Sequence, residues 1–395
     1  MTTPLEIAVI GAGTMGAGIA QIAATHGHTV YLYDVRPGAV ERSRSGIEKV
    51  LLRLVEKGTL AAPDAAAILG RIAPVTAVEQ IASAGVVIEA IVEELPVKCE
   101  LVRSLDRVLS SSAVIGSNTS SLSIASIAAA SSHPERVLGI HFFNPAPLMP
   151  LVEVVPGVRT SPQIVEQVRA LMVRWKKLPV LAKDTPGFIV NRLARPFYGE
   201  SLRILEEQIA DTATIDWALK TIGGFKMGPF ELMDLIGNDI NYKVTESVFE
   251  AFYYDPRYRP SITQRRNVEA GLLGRKTGAG FYDYAEGALR PKPFEDQALG
   301  QKIVERVVAM LINEAAEALL LGIASGPDID LAMIRGVNYP KGLLAWGDEL
   351  GVKNVLATLE GLQEEYGDDR YRPSAMLRRL ARGGGKLLTP PTSVG

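Results

Sequence analysis

The sequence predicts a parallel α/β domain followed by two tandem all-α domains, and three observations carry that prediction. A short apolar strand, Glu6-Ile-Ala-Val-Ile10, runs straight into Gly11-Ala-Gly13-Thr-Met-Gly16-Ala-Gly18 and an Ala-rich helical stretch. Strand and helix signals then alternate through residue 184. After Gly187 the strand signals stop, helical periodicity takes over, and the pattern repeats at a fixed offset.

The opening strand and glycine loop form a dinucleotide-binding fingerprint of the Rossmann type. Gly11 permits the tight turn, Gly13 lets backbone approach a pyrophosphate, and Gly16 lets the helix pack closely on the strand. Unpaired N–H groups at the helix start suit an anionic phosphate. Thr29-Val-Tyr-Leu-Tyr33 reads as the second strand, and Asp34 ends it. A carboxylate there binds both ribose hydroxyls of NAD and repels the 2′-phosphate of NADP, although Arg36 nearby is able to hold such a phosphate. An ordinary βα turn in another α/β protein is the competing reading.

Further strands are expected at Gly85–Ala90, Ala113–Gly116, Arg136–Ile140, Leu151–Val155 and Pro179–Ala182. The early ones are continuous Val/Ile runs, as in parallel strands covered on both faces. The charged stretch from Arg42 to Gly58 reads as a helix pair projecting from the sheet. In the second half, Ile189-Val-Asn-Arg192 matches Ile303-Val-Glu-Arg306, Glu200 matches Glu314, Ile215-Asp-Trp-Ala218 matches Ile329-Asp-Leu-Ala332, and Asp234 matches Asp348. Arg257-Tyr-Arg-Pro-Ser261 recurs as Arg370-Tyr-Arg-Pro-Ser374. The domains expected are 1–184, 185–284 and 300–388, with 285–299 as linker and a frayed tail from Lys386.

Composition narrows the function classes. Lys+Arg 42 against Asp+Glu 44 leaves no basic footprint for nucleic acid or an anionic membrane. No apolar stretch approaches the roughly 20 residues of a membrane span. The first strand begins so early that no signal peptide is expected. Cys99 has no CxxC partner and excludes an intrachain disulfide, which fits a reducing, cytoplasmic setting. No metal is expected.

Three segments carry candidate chemistry. Ser117-Asn118-Thr119-Ser120-Ser121 follows an apolar strand, at the end where open α/β sheets bind ligands; a Ser/Thr helix cap is the alternative. His141-Phe-Phe-Asn144-Pro ends a strand, and Glu153 lies in the next one. A carboxylate within reach favours a catalytic histidine over a buried structural one. Asp184-Thr-Pro-Gly-Phe-Ile-Val-Asn191-Arg192 crosses into the helical half, and a junction between domains is a common place for a small-molecule site.

Together with IVEELPVK, MGPFELMD and GRKTGAGFYDY, these segments resemble the 3-hydroxyacyl-CoA dehydrogenase family over essentially the whole chain. The resemblance implies helical domains like the C-terminal domain of 6-phosphogluconate dehydrogenase. It also implies NAD-dependent oxidation of a (3S)-3-hydroxyacyl-CoA to the 3-oxoacyl-CoA. By the same resemblance, His141 is the catalytic base, Glu153 its carboxylate partner, and Ser120 and Asn191 contact substrate. Gly11, Gly13, Met15, Gly16, Asp34, Glu93, Lys98 and Asn118 fall in cofactor segments. Lys57, with Arg53, is offered to the CoA phosphates, while Val50 stands where the family often has Ser. Glu305 replaces Asn191 in the second repeat, so that copy is expected to be structural, in a pseudo-dimeric monomer or a homodimer. The chain looks most similar to 3-hydroxyadipyl-CoA dehydrogenases of phenylacetate degradation. A 3-hydroxybutyryl-CoA dehydrogenase and a non-catalytic NAD-binding protein are the alternatives.

Overall fold

The computed structural model describes residues 5–388, which divide into two compact units at Thr185/Pro186. In the first unit, eight strands among the described residues form one sheet in the order β3-β2-β1-β4-β5-β6-β7-β8. The strands are β1 Ile7–Ile10, β2 Val30–Tyr33, β3 Ile72–Pro74, β4 Val86–Glu89, β5 Val114–Ser117, β6 Val137–Phe142, β7 Leu151–Pro156 and β8 Leu178–Leu181. Every pairing is parallel except β6 with β7.

Alternation along the strands feeds two apolar layers. Ile7 and Val9 of β1 point to one face and meet the helices α1 Thr14–Thr25, α2 Ala39–Glu56, α3 Ala62–Gly70 and α6 Pro162–Arg174. Ala8 and Ile10 point to the other, against α4 Leu95–Val108 and α5 Ile124–Ala128.

Two expectations change here. β3 falls at Ile72–Pro74, beyond the Arg42–Gly58 segment and where no strand was expected; at three residues it is too short to show a period. The helix pair α2 and α3 also does not stand clear of the sheet. Ile47, Leu51 and Ile68 are buried in the core, so only its outer face is charged and exposed.

The second unit is helical: α7 Val190–Leu193, α8 Arg195–Glu206, α9 Thr212–Trp217, α10 Pro229–Ile236, α11 Asn238–Ala251, α12 Ile262–Glu269, α13 Gln297–Leu320, α14 Gly326–Gly336, α15 Leu343–Leu350, α16 Val352–Tyr366 and α17 Ala375–Gly383. Side-chain caps from Asp211, Ser261, Asp296 and Ser325 fix the starts of α9, α12, α13 and α14. Each such cap contributes about 1 kcal/mol. Capping by Asp296 starts α13 inside the expected linker.

The repeat is visible in the hydrogen bonds. Asp216 accepts from the N–H groups of Phe230 and Glu231, and Asp330 accepts from those of Leu344 and Ala345, at the same offset. The two repeats, expected as separate domains, share one compact unit because each buries its acid in the other. Arg192 and Tyr258 of the first repeat bond Glu314 of the second, and Arg306 and Tyr371 of the second bond Glu200 of the first. The tail is not frayed from Lys386: Leu387 is buried and its N–H is held by Asp348. Residues 389–395 lie outside the described part.

Candidate active site

The glycine loop is built as its motif requires. Gly11 has φ +101°, and a Cβ there would strike the Ala90 carbonyl. A Cβ on Gly16 would fall on the Gly11 carbonyl oxygen, so helix and loop are in direct contact. Gly13 is different. A Cβ on it would meet no protein atom within 4 Å, so the room beside it is suited to a ligand rather than to packing. Met15, in the first turn of α1, packs partly against the core.

A cleft of about 390 Å³ opens beside the loop, lined by Gly11, Gly13, Asp34, Val92, Val97 and Leu101. Asp34 accepts from the Ala12 N–H at 2.7 Å and from the Arg36 guanidinium at 2.9 and 3.0 Å. The Arg36 bond, outweighing burial, pulls the Asp34 carboxyl down to about 2. Arg36 therefore does not stand apart as a phosphate cation: it neutralises the carboxylate. Its side chain is 66% exposed, so the ion pair is solvent-screened and weak. A carboxylate at the end of β2, open space at Gly13 and apolar walls fit an NAD molecule.

At the far side of the sheet, antiparallel pairing places His141 of β6 directly opposite Glu153 of β7. The His141 Nδ1–H donates to Glu153 Oε2 at 2.6 Å, and both side chains are buried. The carboxylate fixes the tautomer, which leaves Nε2 with the lone pair that a base needs. The remaining histidines are otherwise engaged. His26 and His28 bond backbone carbonyls of Ile22 and Leu5, and His133 pairs with Glu135 at the surface.

Next to His141, Asn118 Oδ1 accepts from the Phe142 N–H at 2.8 Å, which leaves its amide N–H groups as what it can offer a ligand. Glu93 organises the loop that follows. Its Oε1 accepts from Thr119 Oγ1 at 2.6 Å and from the Ser120 N–H at 2.8 Å. Burial pushes the Glu93 carboxyl up, but Lys98 and these donors outweigh it and hold the group below its ordinary range.

Lys98, expected among the cofactor contacts, is 1% exposed and lies 2.8 Å from Glu89 and 3.3 Å from Glu93. Its ammonium is held between the two carboxylates. Glu89 itself, at the end of β4, also accepts from Ser117 Oγ and the Ile91 N–H. Sequence reasoning passed over Glu89; an acid closing an apolar parallel strand was the available signal.

One expected residue is not joined to this cluster. Lys57 is exposed at the end of α2. A second cleft, of about 920 Å³, runs along α1 and α2 and takes in Arg42, Val50, Leu54 and Trp175, but neither Lys57 nor Arg53 lines it. Asn191 belongs to the helical unit. It lies in α7, and its carbonyl accepts from Arg195 Nε at 2.7 Å. Cys99 is half-buried with its thiol toward the Ser126 carbonyl.

Known proteins match these elements in order. The 3-hydroxyacyl-CoA dehydrogenase NAD binding domain matches residues 6–185, and the C-terminal domain of the same enzymes matches twice, at 187–284 and 303–386. The 3-hydroxyadipyl-CoA dehydrogenase of Escherichia coli is 41% identical over 95% of this chain and 97% of its own length. A probable 3-hydroxybutyryl-CoA dehydrogenase of Bacillus subtilis is 41% identical over 71% of this chain and 98% of its own. The crystal structure of a 3-hydroxybutyryl-CoA dehydrogenase from Escherichia coli superposes with a TM-score of 0.90 at 40% identity, covering 96% of this chain and 98% of that one. With the glycine loop, the Asp34 carboxylate and the His141–Glu153 pair in place, the chain belongs to the 3-hydroxyacyl-CoA dehydrogenase family, NAD-dependent oxidoreductases.

Proposed function

We propose that this member of the family oxidises 3-hydroxyadipyl-CoA, with 3-hydroxybutyryl-CoA as the second reading. The hydrogen-bonded His141–Glu153 pair supports a catalytic chain over a non-catalytic NAD-binding protein. His141 Nε2 takes the proton of the C3 hydroxyl, and Glu153 stabilises the imidazolium that forms. Bound NAD supplies the hydride acceptor for C3–H. Ser120, held through Glu93, orients the substrate oxygens, and Asn191 is assigned to the same task from the helical unit. Glu93 and Asn118 are assigned to the nicotinamide end, and the Gly13 backbone to the pyrophosphate.

For CoA, the relevant surface is the outer face of α2. Arg42, Arg53 and Lys57, eleven and four positions apart, fall on one side of the helix and suit phosphates. No helix among the described residues is long and apolar enough to cross a membrane, and a cytoplasmic location is part of the proposal. So is a pseudo-dimeric monomer, supported by the reciprocal Glu200 and Glu314 contacts.

NADH formation measured with 3-hydroxyadipyl-CoA and with 3-hydroxybutyryl-CoA tests the substrate reading. A higher kcat/KM with the first is expected. A higher value with the second favours the alternative, and no turnover with either rejects both.

A further inference from the structure

The carboxyl ends of β4 and β5 carry more buried charge than the mechanism uses. Glu89, the last residue of β4, and Lys98, in the first turn of α4, are each 1% exposed. Lys98 Nζ donates to both Glu89 oxygens, at 2.8 and 2.9 Å, and lies 3.3 Å from Glu93 Oε2. Glu89 accepts further from Ser117 Oγ and the Ile91 N–H. Glu93 accepts from Thr119 Oγ1 and from the N–H groups of Ser120 and Ser121. All of these partners are donors, so each carboxylate serves as an acceptor throughout. Among the described residues no second cation lies within ion-pair distance of either one. One ammonium therefore stands against two carboxylates. Glu93 and Lys98 alone would make a neutral pair; Glu89 supplies the surplus.

The strand order indicates what faces that surplus. Strands β2, β1, β4, β5 and β6 are consecutive neighbours and run parallel. At their carboxyl edge Asp34 follows β2, the Gly11–Gly13 loop follows β1, and Glu89 and Glu93 close β4. Asn118 and Ser120 follow β5, and His141 stands near the end of β6. Adjacent strands lie about 4.8 Å apart. A dinucleotide laid from Asp34 across the glycine loop thus reaches the ends of β4 and β5 before it meets His141. The cleft lined by Asp34 and Gly13 also takes in Ala90, Ile91 and Val92, the residues between the two glutamates. Buried charges are normally balanced, because desolvation penalises an excess. A nicotinamide ring carries one positive charge when oxidised and none when reduced, so only the oxidised form balances the surplus.

We infer that Glu89 gives this cluster a net negative charge that favours the oxidised, cationic nicotinamide over the neutral reduced ring. This rests on the placement of the nicotinamide end beside Glu93 and Asn118 proposed above. Glu89 is a positioning residue in this role, because it acts through Lys98 and Glu93 rather than by touching the cofactor. The arrangement also matches the charge movement of the reaction. The hydride of C3 goes to the nicotinamide and the hydroxyl proton goes to His141 Nε2, so one positive charge leaves the ring and one appears on the imidazole. Glu153 faces the second position of that charge, and the Glu89–Lys98–Glu93 cluster faces the first.

The test measures Kd for NADH by fluorescence and for NAD+ by competition, apart from turnover. Glu89→Gln removes the surplus charge and keeps the size of the side chain. It should weaken NAD+ by roughly fivefold or more and leave NADH nearly unchanged. Glu89→Asp, which keeps the charge, should hold the ratio of the two constants near its unsubstituted value. A loss shared equally by both forms marks Glu89 as merely structural and overturns the inference. An equal shift of the ratio with Asp and with Gln overturns it too, since shape and not charge would then be responsible. Should Glu89→Gln fail to fold, Glu93→Gln decides, at a side chain 37% exposed: the ratio must move in the same direction or the inference falls. Asn118→Ala checks the placement and should weaken both forms. If it weakens neither, the placement fails and takes the inference with it. If it weakens both while the glutamate variants leave the ratio unmoved, the inference alone fails.

Discussion

Arg192 Nε donates to Glu314 Oε1 at 2.5 Å, and at the equivalent place Arg306 Nε donates to Glu200 Oε2 at 3.0 Å. Each repeat supplies the arginine for the other's buried glutamate. That is the pairing of an isologous interface, in which residue i meets j and j meets i, written twice into one chain. Breaking a buried pair on one side leaves an uncompensated charge and costs about 3–5 kcal/mol. Glu314→Gln should therefore lower the urea midpoint clearly, and Arg192→Met combined with Glu314→Gln should recover part of the loss. Full additivity of the two single effects would show that the pair is not coupled.

The reciprocal contacts also bear on assembly. Truncation near Gly300 removes α13, whose buried face packs on α8. Light scattering should then report an intermolecular dimer or aggregate. A truncated protein that stays monomeric and fully active would mean that the second repeat does not stand in for a partner.

For the chemistry, His141→Ala should leave NADH binding nearly intact while lowering kcat by roughly a hundredfold or more, the range expected for a lost general base. Fluorescence titration of NADH and steady-state rates separate the two. Near-normal turnover in a folded variant would remove His141 from its role.

The cofactor end has its own prediction. Asp34→Ser should narrow the preference for NAD over NADP, because the carboxylate that repels a 2′-phosphate is gone. Arg36→Ala should widen it. If the unsubstituted protein has the higher kcat/KM with NADP, Arg36 governs this end of the site despite its bond to Asp34.

Lys177 links the active-site strands to pH. It is buried, and its ammonium donates to the carbonyls of Ala146 and Met149 at 2.6 and 2.7 Å, in the segment between His141 and Glu153. Burial pushes it down to about 8. Between there and the ordinary lysine value near 10.4, the unfolded chain holds more protons than the folded one. Stability from this group is thus full above about 10.4 and is lost as pH falls through 8. The urea midpoint of the unsubstituted protein, relative to Lys177→Met, should rise from pH 8 to pH 10. A flat difference would contradict the assignment.

Local chemistry made much of this legible beforehand. Gly11 and Gly16 were readable because their steric demands act within a few residues, and Asp34 because a strand's length sets its spacing from the loop. The pairing of His141 with Glu153 was visible only as proximity in sequence; the antiparallel reversal between β6 and β7 that sets them opposite leaves no periodic trace. β3 was missed because three residues cannot establish an alternation. Nothing local reveals that Glu89 and Glu93 enclose Lys98, and the exchange of Glu200 and Glu314 joins residues more than a hundred positions apart.

The fused repeat has a consequence for how this protein can change. In a dimer of identical chains every substitution is installed twice, and a group useful on one side burdens the other. Here the two halves are encoded separately. Position 195 can hold an arginine while position 309 remains alanine, and Phe225 can stay plain while its counterpart 339 gains a hydroxyl. One half is free to change while the other keeps the scaffold closed, a division of labour unavailable to a symmetric pair.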